Sequence, residues 1–246
     1  MTVSLPLLII GTFLSAVISA VAGLGGGVLL FAILSASMGV KLAIPIHGAL
    51  QVISNLSRIV VYRQHIDWPV VTRFVILVIP GAWLGGRVFA SLNEQILSLI
   101  IGVAILGSVF LPPPKKKDKI DLKWFSLFGG ISSFLSMIVG AVGPLLAPAF
   151  YRAGLSKERL VATKAVCQGT VQLAKVIIFS TTLSFSYAEY WQILLLLTGV
   201  IVLGTWAGKK VLGKMPDRHF DWFLKAVLLI AGGKIIWDAC ASFGWS

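Results

Sequence analysis

Val21-Ala22-Gly23-Leu24-Gly25-Gly26-Gly27-Val28-Leu29-Leu30 is a glycine cluster set inside continuous apolar sequence. Between a strand and a helix such a cluster would suggest a phosphate loop, but no strand pattern precedes it and no Lys-Ser/Thr follows it. Both flanks read as helix of membrane grade. Glycines at this density break a helix, let other backbones approach closely, and free N–H groups to face a partner. In a membrane, unwound backbone is tolerated only where protein buries it or water lines it. A close-packing face between helices is the plainer reading of one such cluster. This one occurs twice: Gly140-Ala141-Val142-Gly143-Pro144-Leu145-Leu146 repeats it, with Pro144 where the first copy has Gly27.

The flanks set the class. Hydrophobic residues make up 57% of the chain and charged residues 12%, with a mean hydropathy of +0.94. A soluble domain is nearer half apolar and a quarter charged, so the composition is that of an integral membrane protein. The formal charge of +12 invites a nucleic-acid partner. The basic residues, however, cluster between apolar segments, which is the positive-inside pattern and needs no nucleic acid. Cys167 and Cys240 fall in different apolar segments and imply no disulfide framework. The segment from Leu5 to Ala20 lacks a basic leader and continues into the repeated unit, so it does not read as a cleaved signal peptide.

Apolar runs are expected at 5–22, 26–38, 42–62, 69–90 and 95–111. Pro112-Pro113-Pro114-Lys115-Lys116-Lys117-Asp118-Lys119 follows, and its prolines stop a helix while its lysines belong in the cytoplasm. The pattern then returns at 122–139, 142–153, 159–180, 187–210 and 219–241. The two halves align: Gly26 falls on Gly143, His47 on Lys164, Gln51 on Gln168, Asn55 on Gln172 and Arg58 on Lys175. Further on, Gly81-Ala82-Trp83-Leu84-Gly85 matches Gly204-Thr205-Trp206-Ala207-Gly208, and Leu92-Asn93-Glu94 matches Met215-Pro216-Asp217.

Loop charge relates the halves. The loop after the third run carries Arg58, Arg63 and Arg73, whereas its equivalent, Ser180 to Ala188, has no Lys or Arg. The following loop reverses the bias, with Arg87 and Glu94 in the first half against Lys209, Lys210, Lys214, Arg218 and Lys225 in the second. The halves are therefore expected to be inverted across the membrane. The expected fold is an all-α polytopic membrane protein: a first inverted repeat at 1–111, a cytoplasmic linker at 112–123 and a second repeat at 124–246. Counting from that linker puts both termini outside. Each repeat then needs a short broken or re-entrant hairpin at its glycine cluster, because about 13 residues fall short of the roughly 20 a span requires.

His47, Gln51, Asn55 and Arg58 are spaced to share one helical face, as are Lys164, Gln168, Gln172 and Lys175. Such a stripe is costly in hydrocarbon and must face protein or a wet cavity. Helix-to-helix glue explains one stripe. Two stripes at symmetry-related positions beside two glycine clusters favour a transport site at the depth where broken helices meet. Gln51, Asn55, Gln168 and Gln172 would be direct ligands, and His47, Arg58, Lys164 and Lys175 would set a positive potential. Gly25, Gly26, Gly27 and Gly143 would offer backbone donors. All nine carboxylates lie in loops or at run ends, so the cargo should be a small anion rather than a cation. Only His47 could carry a proton within the membrane. A cytoplasm-negative potential would by itself expel an anion, by about 2.3 kcal/mol per charge at 100 mV. Trp83 and Trp206 read as aromatics packed on small neighbours. Trp68, Tyr62, Tyr187, Tyr190 and Trp191 read as interfacial anchors. No His-Glu-x-x-His, paired intramembrane Asp or Ser-His-Asp set is present, so neither an enzyme nor a metal or cofactor site is expected.

Gly23-Leu24-Gly25-Gly26-Gly27, the matched Gln51 and Gln168 stripes, Gly81-x-x-x-Gly85-Gly86-Arg87 and the duplicated layout resemble the TauE/SafE sulfite exporter family. The resemblance covers nearly the whole chain. It implies a bacterial or archaeal inner-membrane carrier that exports sulfite or organosulfonates such as sulfoacetate, works without an ATPase subunit and forms a homodimer. Phe31 stands where the family usually has a proline, Pro148 fills that place in the second half, and the second cluster is poorer in glycine. The rival readings are a transporter of another small anion and a membrane-embedded assembly factor whose stripes are only glue.

Overall fold

The computed structural model describes residues 5–22, 25–110, 120–143, 149–150, 152–211, 229–230, 232–233 and 235–241. The Pro/Lys run at 112–119, Gly23, Leu24, Pro144, Pro148 and the basic stretch Lys214 to Lys225 lie outside the described residues. Among the described residues every regular element is helical. In chain order they are α1 (Leu5–Ala22), α2 (Gly26–Met38), α3 (Val40–Tyr62), a short 3-10 turn (Arg63–His65), α4 (Trp68–Val75), α5 (Val78–Ser91), α6 (Glu94–Phe110), α7 (Trp124–Val139), α8 (Lys157–Thr181), a second 3-10 turn (Tyr187–Tyr190) and α9 (Trp191–Val211). Among the described residues two segments are long and apolar enough to cross a membrane, Val40–His65 and Tyr187–Gly208, and α4 with α5 makes a third if the bent pair counts as one span.

The first glycine cluster folds the chain back on itself. Gly25 takes φ 84° at the start of α2, a conformation that side chains with a Cβ disfavour. Ser15 Oγ donates to the Gly26 carbonyl at 2.6 Å, and Gly11 further back on α1 faces Ile33 further along α2. α1 and α2 therefore run antiparallel as a hairpin. Gly39 alone, at φ 78°, separates α2 from α3, which is a tighter connection than the sequence suggests.

The expected run 69–90 is broken. α4 and α5 meet at a bend of 42°, because Pro80 in the first turn of α5 has no N–H for the carbonyl of Ile76. Asp67 caps α4, its Oδ1 accepting from Val70 N–H at 3.2 Å.

The halves interlock. α1 packs against α9, α5 against α7, and α3 against α8. Each outer pair meets through the matched glycines. Gly85 lies so close to α7 that a Cβ there would sit 2.6 Å from the Phe134 carbonyl, and Gly81 crowds the Gly130 carbonyl in the same way. On α9, a Cβ at Gly204 or Gly208 would sit 2.8 Å from the carbonyl of Phe13 or Val17 respectively. Trp83 and Trp206, between these glycines, are instead 42% and 61% exposed. The glycines do the packing, and the indoles point to the outer surface, where Arg87 stacks over Trp83 at 4.6 Å.

Candidate functional site

α3 and α8 cross at the centre of the molecule, and both polar stripes face that crossing. A Cβ at Gly48 would lie 2.8 Å from Lys175 Cδ, and one at Gly169 would lie 3.5 Å from Asn55 Cβ. The later residue on α3 thus meets the earlier one on α8, so the two helices run antiparallel. Gln51 and Gln172 fall at one level of the crossing, Asn55 and Gln168 at the next. Ser156 caps the start of α8 through the Arg159 N–H.

A cavity opens between the stripes. It measures about 390 Å³ counting the open space at its mouth. His47, Gln51, Asn55 and Arg58 of α3 line one wall, and Lys164, Gln168 and Gln172 of α8 the other. Gly25, Gly27 and Gly143 of the two clusters close the rest. Gly27 abuts the Gln51 amide, with Nε2 2.8 Å from where a Cβ would be, and Gly143 abuts the Gln168 amide at 3.1 Å. The N-terminus of α2 has no side-chain cap, so its free N–H groups and the positive end of its dipole belong to the cavity region.

Two expected residues stand behind the wall. Gly26 is held against α1, its carbonyl accepting from Ser15 Oγ. Lys175 is fully buried and its Nζ donates to the Gly140 carbonyl at 2.8 Å, so it ties α8 to the second glycine hinge. Sequence reasoning also missed Ser19, which lines the cavity from α1. Ser15 and Ser19 recur on α7 as Ser132 and Ser136 in the register that aligns Gln51 with Gln168, and that recurrence was the available signal.

The hydrogen bonds separate struts from open groups. Asn55 Nδ2 donates to the Gln51 carbonyl at 2.8 Å, and its Oδ1 accepts from Arg58 Nη2 at 2.7 Å. Arg58 Nε donates to the Ser54 carbonyl at 3.3 Å. His47 Nε2 must be a donor, because its partner at 2.9 Å is the Gly27 carbonyl. The Phe31 ring stands edge-on to the His47 ring at 5.3 Å. The same phenyl fills the space beside Gly140, so Phe31 joins the two glycine hinges.

The electrostatics are one-sided. Arg58, Lys164 and Lys175 are 5%, 2% and 0% exposed. Among the described residues no carboxylate lines the cavity and no Asp or Glu is buried. A cation taken out of water costs several kcal/mol unless an opposite charge and hydrogen bonds meet it. A wall of amide N–H, guanidinium and ammonium donors is suited to holding a small oxyanion.

Fold and cavity together define an all-helical membrane protein with a basic, amide-lined cavity at the crossing of its two polar helices. The model of the sulfite exporter TauE/SafE family matches residues 7–235, and the chain belongs to that family of membrane transporters, which are not enzymes. No curated protein and no solved structure matches the chain.

Proposed function

We propose that the cavity between α3 and α8 is the substrate site of a secondary transporter that exports a small oxyanion, sulfite or an organosulfonate such as sulfoacetate, by alternating access. The observation that carries this reading is the cavity wall, which combines buried basic side chains with open amides and, among the described residues, contains no carboxylate. Gln51, Gln168 and Gln172 contact the anion. Asn55 holds Arg58 toward it, and Lys164 supplies positive charge from the other wall.

Two inverted repeats, at 1–111 and 124–246, build this site on either side of the central crossing. The glycine contacts support that arrangement. Phe13 and Val17 align with Gly130 and Phe134 in the register that aligns Gln51 with Gln168. Gly204 and Gly208 on α9 thus meet the same two carbonyl positions of α1 that Gly81 and Gly85 meet on α7. An antiparallel α3/α8 pair is also what a twofold axis in the membrane plane requires. With both termini outside and the membrane negative inside, the potential alone favours export.

Thermal melting of the detergent-solubilised protein against sulfite, sulfoacetate, taurine, sulfate, phosphate and acetate at constant ionic strength tests the reading. A ligand that binds only the folded form adds about 2.7 kcal/mol at 100 times its dissociation constant, which a melting curve resolves. Stabilisation confined to sulfite or sulfonates supports it, and a flat panel from a folded sample argues for a non-transporting assembly factor.

A further inference from the structure

We propose that, among small oxyanions, the site favours one that brings a hydrogen-bond donor to Gln172 Oε1: an anion bearing an O–H or N–H beside its charge, such as hydrogensulfite, over a fully deprotonated one. This deepens the anion-site reading and rests on it.

The two matched amides, Asn55 and Gln172, are satisfied differently. In the first half, Asn55 Oδ1 is filled by Arg58 Nη2 at 2.7 Å. Gln172 stands at the matching position on α8 and Lys175 at the position of Arg58. The Lys175 ammonium, however, goes to the Gly140 carbonyl at 2.8 Å. Gln172 Oε1 is left buried without a hydrogen-bond partner among the described residues, on a residue 6% exposed that lines the cavity. Whichever way that amide turns, its oxygen needs a donor. On the opposite wall, His47 spends its Nε2–H on the Gly27 carbonyl, and its Nδ1 is likewise buried without a partner. In the neutral ring that nitrogen is an acceptor.

A wall otherwise made of donors therefore holds two open acceptors. An oxyanion without hydrogen offers only acceptor oxygens. It satisfies the guanidinium and the amide N–H groups, expels the water that would serve Gln172, and leaves the Gln172 oxygen bare, which is costly when buried. An anion carrying an O–H or N–H meets those donors and gives the Gln172 oxygen its own. Sites built to meet a ligand's polar hydrogen discriminate strongly against the analogue that lacks it.

The test titrates the detergent-solubilised full chain with 2-hydroxyethanesulfonate and with 1-propanesulfonate, equal in charge and in heavy atoms, and reads affinity from the melting shift. The hydroxylated sulfonate is expected to bind about fivefold tighter or more. In Gln172→Met that ratio should fall to about two or less, whatever the absolute affinities. Gln172→Glu, which keeps an acceptor oxygen, should retain the preference while binding both anions more weakly. Equal affinities in the native protein, or a preference that survives Gln172→Met, overturn the proposal. If neither of these sulfonates nor sulfite shifts the melt, the anion-site reading itself fails and this inference goes with it.

Discussion

Asn55 shows how one residue sets the chemistry of the cavity. Its amide reaches back to the Gln51 carbonyl and forward to Arg58, so the guanidinium is held in place before any anion arrives. Asn55→Ala leaves that buried guanidinium short of one acceptor, and hydrogen bonds to charged groups are worth about 1.5–3 kcal/mol. We expect a loss of stability in that range by thermal melting, together with weaker anion binding. Gly140 is the second decisive residue. It takes φ +80°, and a Cβ there would run into the Phe31 ring. Gly140→Ala combines backbone strain with overpacking, each about 1–3 kcal/mol. Adding Phe31→Leu should recover the packing part and leave the strain, which a double-mutant cycle of melting temperatures reads directly.

At the scale of elements, the matched glycines make the α1/α9 and α5/α7 pairs equivalent in construction. Gly81→Ala and Gly204→Ala should therefore destabilise by similar amounts, about 1–3 kcal/mol each. A cost confined to one of them would break the equivalence. The pair Arg159–Asp67, at 2.6 Å, ties the start of α8 to the loop after α3. The Arg159 side chain is 52% exposed, so Asp67→Asn should cost at most about 1 kcal/mol, and less in high salt. The helices, the glycine hinge and the facing stripes were legible in the sequence because each is a local pattern with a helical period. The 42° bend was not, because Pro80 fits equally in the first turn of a new helix and inside a continuing run. Trp83 was misread for a related reason: Gly-x-Trp-x-Gly shows that something small packs closely but not which face does so. The hydrogen bonds that withdraw Lys175 and Gly26 from the cavity wall depend on partners distant in sequence, and no local pattern encodes them.

For the whole molecule, the proposed inversion of the two halves makes a prediction about sidedness. The turn at Arg63–His65 and the loop before the turn at Tyr187–Tyr190 should lie on opposite faces of the membrane. Gln64→Cys and Ser184→Cys test this in a Cys240→Ser background, since Cys240 is exposed and Cys167 buried. A membrane-impermeant maleimide applied to intact cells should label the position at 184 and spare that at 64. Labelling of both from one side contradicts the inversion. The pairing of α1 with α9 and of α5 with α7 lay beyond the sequence, since nothing local states which half's helix a glycine face will meet.

The most direct measurement is sulfite efflux from liposomes containing the purified protein, with an imposed inside-negative potential and compared with protein-free vesicles. The native chain should carry sulfite out. Gln51→Ala and Gln168→Ala should each slow it about tenfold, the equivalent of about 1.4 kcal/mol for one hydrogen bond lost to a charged ligand. Efflux at the native rate in both folded variants would contradict the site between α3 and α8.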